Sequence, residues 1–134
     1  MTEAERLIRA YYAAFGADDH EGMCALLAED VVHDVNQGAR RQGVDAFRAF
    51  LAQMDTAYDE SVEELVVMTE PSGTRAAAEF IVVGQYLQTD FGMPEARGQR
   101  YRLPAGAFFE IRGGRIARVT TTYNLRDWIA QVSG

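Results

Sequence analysis

Apolar side chains recur at helical spacing early in the chain and at alternate positions over its second half. Ala4, Leu7, Ile8, Tyr11 and Phe15 follow the i, i+3, i+4, i+7 pattern, which predicts an amphipathic helix over residues 3–16. Gly16 and Asp18-Asp19-His20 stop that helix and cap a short second one over about 21–28, with Met23, Leu26 and Leu27 inward. Residues 30–36 (DVVHDVN) read as a strand bounded by the Gln37-Gly38 turn. Phe47, Phe50, Leu51, Met54 and Tyr58 mark a third helix from about 45 to 57. Residues 61–70, 75–89, 99–112 and 115–124 are rich in Val, Ile, Phe, Tyr and Thr and read as strands. Pro71-Ser72-Gly73, the stretch 90–98 and Arg112-Gly113-Gly114-Arg115 separate them. Residues 125–132 close the chain as a short helix carrying the only tryptophan, Trp128.

Helices first and strands afterwards predict an α+β fold in a single domain over residues 1–134. A curved sheet wrapped around a long helix leaves an apolar cavity at its open end, which the 90–98 loop is expected to overhang. Thirteen basic and twenty acidic residues give a net charge of −7, which disfavours nucleic acid and anionic membranes as partners. The amphipathic, charged start is unlike a signal peptide, and no apolar run reaches membrane-spanning length. The single cysteine, Cys24, fits a reducing cytoplasm. All thirteen basic residues are arginine, so a lysine Schiff base or P-loop is excluded. Ser61, Ser72 and Ser133 lack a G-x-S-x-G setting, and His20 and His33 leave few ways to build a metal site. No cofactor motif is present. Carboxylates and tyrosines remain.

Asp34 is the first candidate. Strand alternation puts Val32, Asp34 and Asn36 on one face and Val31, His33 and Val35 on the other. Both faces are mostly apolar, and a buried carboxylate has the raised pKa that suits a general base. The alternative is a solvated or turn-capping Asp. Tyr11, Tyr58 and Tyr123 can each donate to a carbonyl or enolate oxygen in an apolar cavity, or serve as core aromatics. Cys24 reads as a small buried hydrophobe and Arg40-Arg41 as a solvated pair. Arg100, Arg102 and Glu110 read as sheet-surface charges.

The run AYYAAFGADDHEGMCALLAEDVVHDVNQGARRQGVDAFRAF resembles the N-terminal half of the ketosteroid isomerases, within the nuclear transport factor 2-like and SnoaL-like superfamily. The later run GQYLQTDFGMPEARGQRYRLPAGAFFEIRGGRIARV is similar to the SnoaL-like polyketide cyclase branch. The resemblance implies a cone-shaped, curved antiparallel sheet wrapped around N-terminal helices, with a deep apolar pocket. It sets Asp34 at the position of the proton-abstracting Asp and Tyr11 at the oxyanion tyrosine. The second acid of that family falls on Ala107, and its supporting tyrosine on Leu51.

The expected activity is therefore a cofactor-independent, isomerase-like proton shift on a small apolar carbonyl compound. Asp34 would be the base and Tyr11 the donor. Val32, Phe80, Val119 and Thr121 would form the walls, with Tyr58 also in the pocket and Asn36 or Tyr123 as a substitute donor. One alternative is a polyketide cyclase-like enzyme or a limonene-type epoxide hydrolase, whose second carboxylate would be Glu79 or Glu110. The other is a non-catalytic ligand-binding or dimerising module. The resemblance also implies a homodimer through the outer sheet face, where Arg118, Thr120 and Thr122 are expected.

Overall fold

The computed structural model describes every residue except 36 and 37. Helix α1 (Glu3–Gly16) starts where the Thr2 hydroxyl accepts from the Glu5 N–H, with Glu3 and Glu5 in its positive first turn. Helix α2 (His20–Cys24) is capped by Asp19, whose carboxylate accepts from the Gly22 N–H. Strands β1 (Leu27–Val35) and β2 (Arg41–Gln42) precede helix α3 (Val44–Ala57). Strands β3 (Tyr58–Thr69), β4 (Arg75–Tyr86), β5 (Arg100–Arg112) and β6 (Arg115–Tyr123) follow, and helix α4 (Leu125–Ser133) closes the chain.

The expected order of helices and strands holds, with differences at element ends and in the sheet. The second helix stops at Cys24, because Leu27 enters β1 and pairs with Ile116. Sheet pairing there outweighs the helical propensity of Leu26 and Leu27. The short strand β2 pairs with β1 through Val32–Gln42 and His33–Arg41. The sheet order is β2-β1-β6-β5-β4-β3, antiparallel except that β1 runs parallel to β6. The last strand thus closes against the first long one as its parallel neighbour.

One sheet face carries the helices and the core. Ile8, Tyr11 and Tyr12 of α1 and Phe47 and Leu51 of α3 pack on Val31, Ala78, Phe80, Ala107, Phe109 and Val119. Tyr12 lies off the stripe predicted for the first helix, yet it is buried with Tyr11 against Phe80 and Phe109. A bulge in β3 between Glu63 and Val66, with Glu64 at φ 55°, shifts the alternation. Tyr58, Glu60 and Val62 therefore share the inner face with Leu65 and Val67.

A second apolar cluster fills the far end of the sheet. Tyr86, Tyr101 and Leu103 meet Trp128 and Val132 of α4 there, with Met93 and Ala96 packed alongside. Helix α4 is capped by Asn124, which accepts from the Asp127 N–H. Its Gln131 side chain bonds both the N–H and the carbonyl of Arg102, at 3.0 and 2.8 Å, continuing the ladder where β6 has ended. Among the described residues, no helix is long and apolar enough to cross a membrane.

Candidate functional site

The register between β1 and β6 decides which predicted residues can meet. Val32 lies beside Arg118, His33 beside Val119, Asp34 beside Thr120 and Val35 beside Thr121. Val119 belongs to the helix-covered core and His33 packs on Phe47 and Phe50 of α3, so Val32 and Asp34 point to the outer face. The expected grouping of Asp34 and Val32 with Tyr11, Val119 and Thr121 is not what the fold produces. Both faces of this strand are partly apolar, and the two phenylalanines of α3 select the His33 face for burial.

On the outer face Asp34 is part of a polar chain. Arg40 donates to both its carboxylate oxygens at 2.7 and 3.0 Å, and Thr120 Oγ1 donates at 3.1 Å. Arg118 donates to Thr120 in turn. The Arg40 guanidinium, aided by Thr120, holds the Asp34 carboxyl below the ordinary range. That makes it a weak base. Glu110, the partner of Arg118 and Arg75, and Glu79 occupy the same outer face. Neither carboxylate of the expected hydrolase set faces the core.

Tyr11 is buried, edge-on to Tyr12, Phe47 and Phe109 at centroid distances of 5.0, 6.4 and 5.8 Å, and burial pushes its phenol up. Phe80 and Val119 share its cluster. Thr121 lies on the inner face beside Ala107, which is itself buried against Ala78. Leu51 is buried in α3. Asn36 lies outside the described residues. Two surface depressions, of about 320 and 630 Å³, are lined by Met68, Ala77, Phe108 and Arg118 and by Cys24, Glu29, Val44 and Arg115 among others. Neither is lined by Tyr11 or Asp34.

The inner face carries a different acid–base pair at the end where Tyr58 and Tyr123 stand. Glu60 of β3 accepts a hydrogen bond of 2.5 Å from the Tyr101 hydroxyl of β5. Burial raises the Glu60 carboxyl above its ordinary value, the Tyr101 bond lowers it, and the neighbouring Asp59 charge raises it. Burial and the Glu60 charge both push the Tyr101 phenol up. By strand alternation, Glu60 is the one acidic side chain on the inner face among the described residues.

Aromatic rings enclose this pair. Tyr58 stacks on Tyr86 at 5.4 Å, and Trp128 stands edge-on to Tyr86 at 4.9 Å and to Tyr101 at 6.0 Å. Trp128 Nε1 lies close enough to Tyr101 to favour its ionised form, yet it makes no hydrogen bond of normal geometry. Tyr123 is pushed up by burial and by the Glu60 and Asp90 charges.

The segment between β4 and β5 is tied down here. Tyr58 donates to the Asp90 carboxylate at 2.8 Å, Asp90 N–H donates to the Tyr86 hydroxyl at 2.9 Å, and that hydroxyl donates to the Pro94 carbonyl. Gln99 and Arg97 donate to the Val132 carbonyl, joining the segment to the end of α4.

Glu60 falls just before the strand start expected at Ser61, and Tyr101, inside an expected strand, meets it only through the register of β3, β4 and β5. Two signals pointed to them. Tyr58-x-Glu60-x-Val62 continues the strand alternation backwards, and Gly84 inside a Val- and Tyr-rich strand marks a close approach.

A family model of the SnoaL-like domain matches residues 8–119. Three solved structures, each bearing the name "putative polyketide cyclase", are similar over nearly the whole chain. The Pseudomonas putida KT2440 protein is 56% identical, with 98% of each chain covered and a TM-score of 0.94. The Xanthomonas campestris pv. campestris protein is 52% identical, over 97% of this chain and 96% of that one, with a TM-score of 0.94. The Silicibacter sp. TM1040 protein is 53% identical, over 98% and 96%, with a TM-score of 0.95. No curated protein matches the chain.

Proposed function

The chain belongs to the SnoaL-like domain family, and on that footing we propose that it is a cofactor-independent acid–base enzyme acting on a small apolar carbonyl compound of polyketide type. Glu60 is the group that moves the proton. The observation that carries this reading is the Glu60–Tyr101 pair, a partly buried carboxyl held by a phenol within an aromatic cluster.

In the carboxylate form Glu60 takes a proton from the carbon beside a carbonyl, and the electron pair moves onto that carbonyl oxygen. The Tyr101 hydroxyl, freed as Glu60 takes up the proton, and the unpaired Trp128 N–H stabilise the oxygen as it gains charge. The enolate carbon then attacks a second carbonyl of the same molecule, forming one carbon–carbon bond. The Glu60 carboxylic acid returns its proton to the new alkoxide, so no oxidant or reductant is consumed. A carboxyl raised by burial suits both steps, because it takes up a proton more readily than an exposed carboxylate and can give it back. The names of the three similar structures support ring closure as the outcome.

The same half-reaction, proton loss and return without ring closure, is the isomerase-like shift expected from the sequence. The test is hydrogen–deuterium exchange at the activated carbon of a β-diketone, followed by NMR. Glu60→Gln should slow exchange by about 10²–10⁴, and Asp34→Asn should leave it at the wild-type rate. Wild-type exchange in Glu60→Gln, or loss in Asp34→Asn alone, would overturn the assignment.

A further inference from the structure

Glu60 and Tyr101 are two strands apart, and Gly84 lies between them. Glu60 pairs with Gly84 on β4, and Gly84 pairs with Tyr101 on β5, so the three form one row across the inner face. Such a row spans about 10 Å, two interstrand spacings. A ring standing upright from β5 would leave its hydroxyl short of β3. The Tyr101 ring instead lies flat over the backbone of residue 84. A Cβ at that position would sit 2.4 Å from both Cζ and Oη of Tyr101 and 2.7 Å from Cε2. Tyr101 is 3% exposed and packed against Trp128, so the ring can make room only by giving up its place over residue 84. The backbone of Gly84 is outside the left-handed region, so the position demands space and not a glycine conformation.

We propose that Gly84 is a positioning residue for the acid–base pair: its bare backbone is the passage through which the Tyr101 hydroxyl reaches Glu60, and any side chain there lifts the ring and breaks that bond. The proposal rests on the reading of Glu60 as the proton-moving group. The titratable groups around Glu60 are Tyr58 and Asp59 on β3, Tyr101 on β5 and Tyr123 on β6, with Asp90 beyond Tyr58. The three atoms nearest an added Cβ at 84 all belong to Tyr101. A methyl group there therefore acts on Glu60 through Tyr101.

The experiment is a carbon-detected NMR titration of the Glu60 carboxyl in the wild type, Gly84→Ala and Tyr101→Phe. Losing a hydrogen bond to the carboxylate should raise the Glu60 pKa by about one pH unit in both variants alike. A wild-type Glu60 titration in Gly84→Ala would overturn the proposal.

If Gly84→Ala alone does not fold, Gly84→Ala/Tyr101→Ala removes the other half of the collision. It should melt at the same temperature as Tyr101→Ala. A lower melting point would assign Gly84 a backbone role and overturn the proposal. The titration needs no turnover. An inactive protein whose Glu60 pKa still responds to residues 84 and 101 would overturn the reaction and uphold the positioning.

Discussion

Acid should destabilise this protein through His33 in particular. The imidazole is 4% exposed and sits 4.5 Å from the ring of Phe47 and 4.7 Å from that of Phe50. Among the described residues its Nδ1 has no hydrogen-bond partner. Burial lowers its pKa from 6.5 to about 4; Arg41 adds to the lowering and Asp34 opposes it. The folded state therefore favours the neutral ring, while the unfolded chain binds a proton near pH 6.5. This contribution is fully present above the unfolded pKa and is lost as pH falls through the folded one. A difference of roughly 2.5 pH units at 1.36 kcal/mol each gives about 3 kcal/mol. That is a large share of the 5–15 kcal/mol of a typical domain. His33→Phe keeps a ring against α3 and removes the titration. Urea unfolding of both proteins, followed by Trp128 fluorescence, should show the wild type losing about 3 kcal/mol relative to the variant between about pH 7 and pH 4. A stability difference that stays constant over that range would refute the reasoning.

Three further outcomes follow from the geometry. If Glu60 acts as the base, deuterium exchange should rise with pH along a single ionisation whose midpoint lies above the ordinary 4.5; a midpoint at or below that value would point to another carboxylate. Asn124→Ala removes the cap of α4 and should cost about 1 kcal/mol, read as a lower thermal midpoint of Trp128 fluorescence; an unchanged midpoint would mean that Gln131 and the segment at Val132 hold the helix without the cap. Val66, Met68 and Phe108 are each about half exposed on the outer face, and we propose that a second copy covers them. Phe108→Glu should then weaken self-association by about 2 kcal/mol in sedimentation equilibrium, and a wild type that sediments as a monomer would refute this pairing.

The period of the apolar positions made most of the fold legible. Helical spacing located α1 and α3, and alternation located four long strands. Element ends were less legible where tertiary pairing set them. Leu26 and Leu27 suit a helix, and the pairing with β6 draws Leu27 into a strand and leaves Leu26 in the turn before it. The face of Asp34 was illegible for a sharper reason. In Val31-Val32-His33-Asp34-Val35 each face carries valine beside one titratable residue, so alternation alone does not fix which is covered. The choice is made by Phe47 and Phe50, residues on another element. Glu60 was missed by a boundary error of three residues at the start of β3. Tyr101 needs the β3–β4–β5 register, which one sequence without its pairing partners does not contain.

The resemblance to the isomerases and the geometry diverge at three positions, and the divergences have one physical sense. Ala107 puts a methyl group where the second acid would be, Leu51 an apolar side chain where the supporting tyrosine would be, and Asp34 faces outward into the fork of Arg40. Each change removes a polar group from the part of the interior around Tyr11, leaving a phenol among apolar rings with no acid beside it. A base working there would have to be desolvated, and Asp34 is instead held ionised by an arginine on the other side of the sheet. The polar groups lost from that end reappear at the other: a carboxyl on β3, a phenol on β5 and an unpaired indole N–H on α4. A buried carboxyl is costly to hold unless it is hydrogen-bonded, and Gly84 clears the space in which Tyr101 bonds to it. A fold can thus keep its strands and move its chemistry along them, because any inward position of a curved sheet can host a carboxyl once its neighbours shield and bond it.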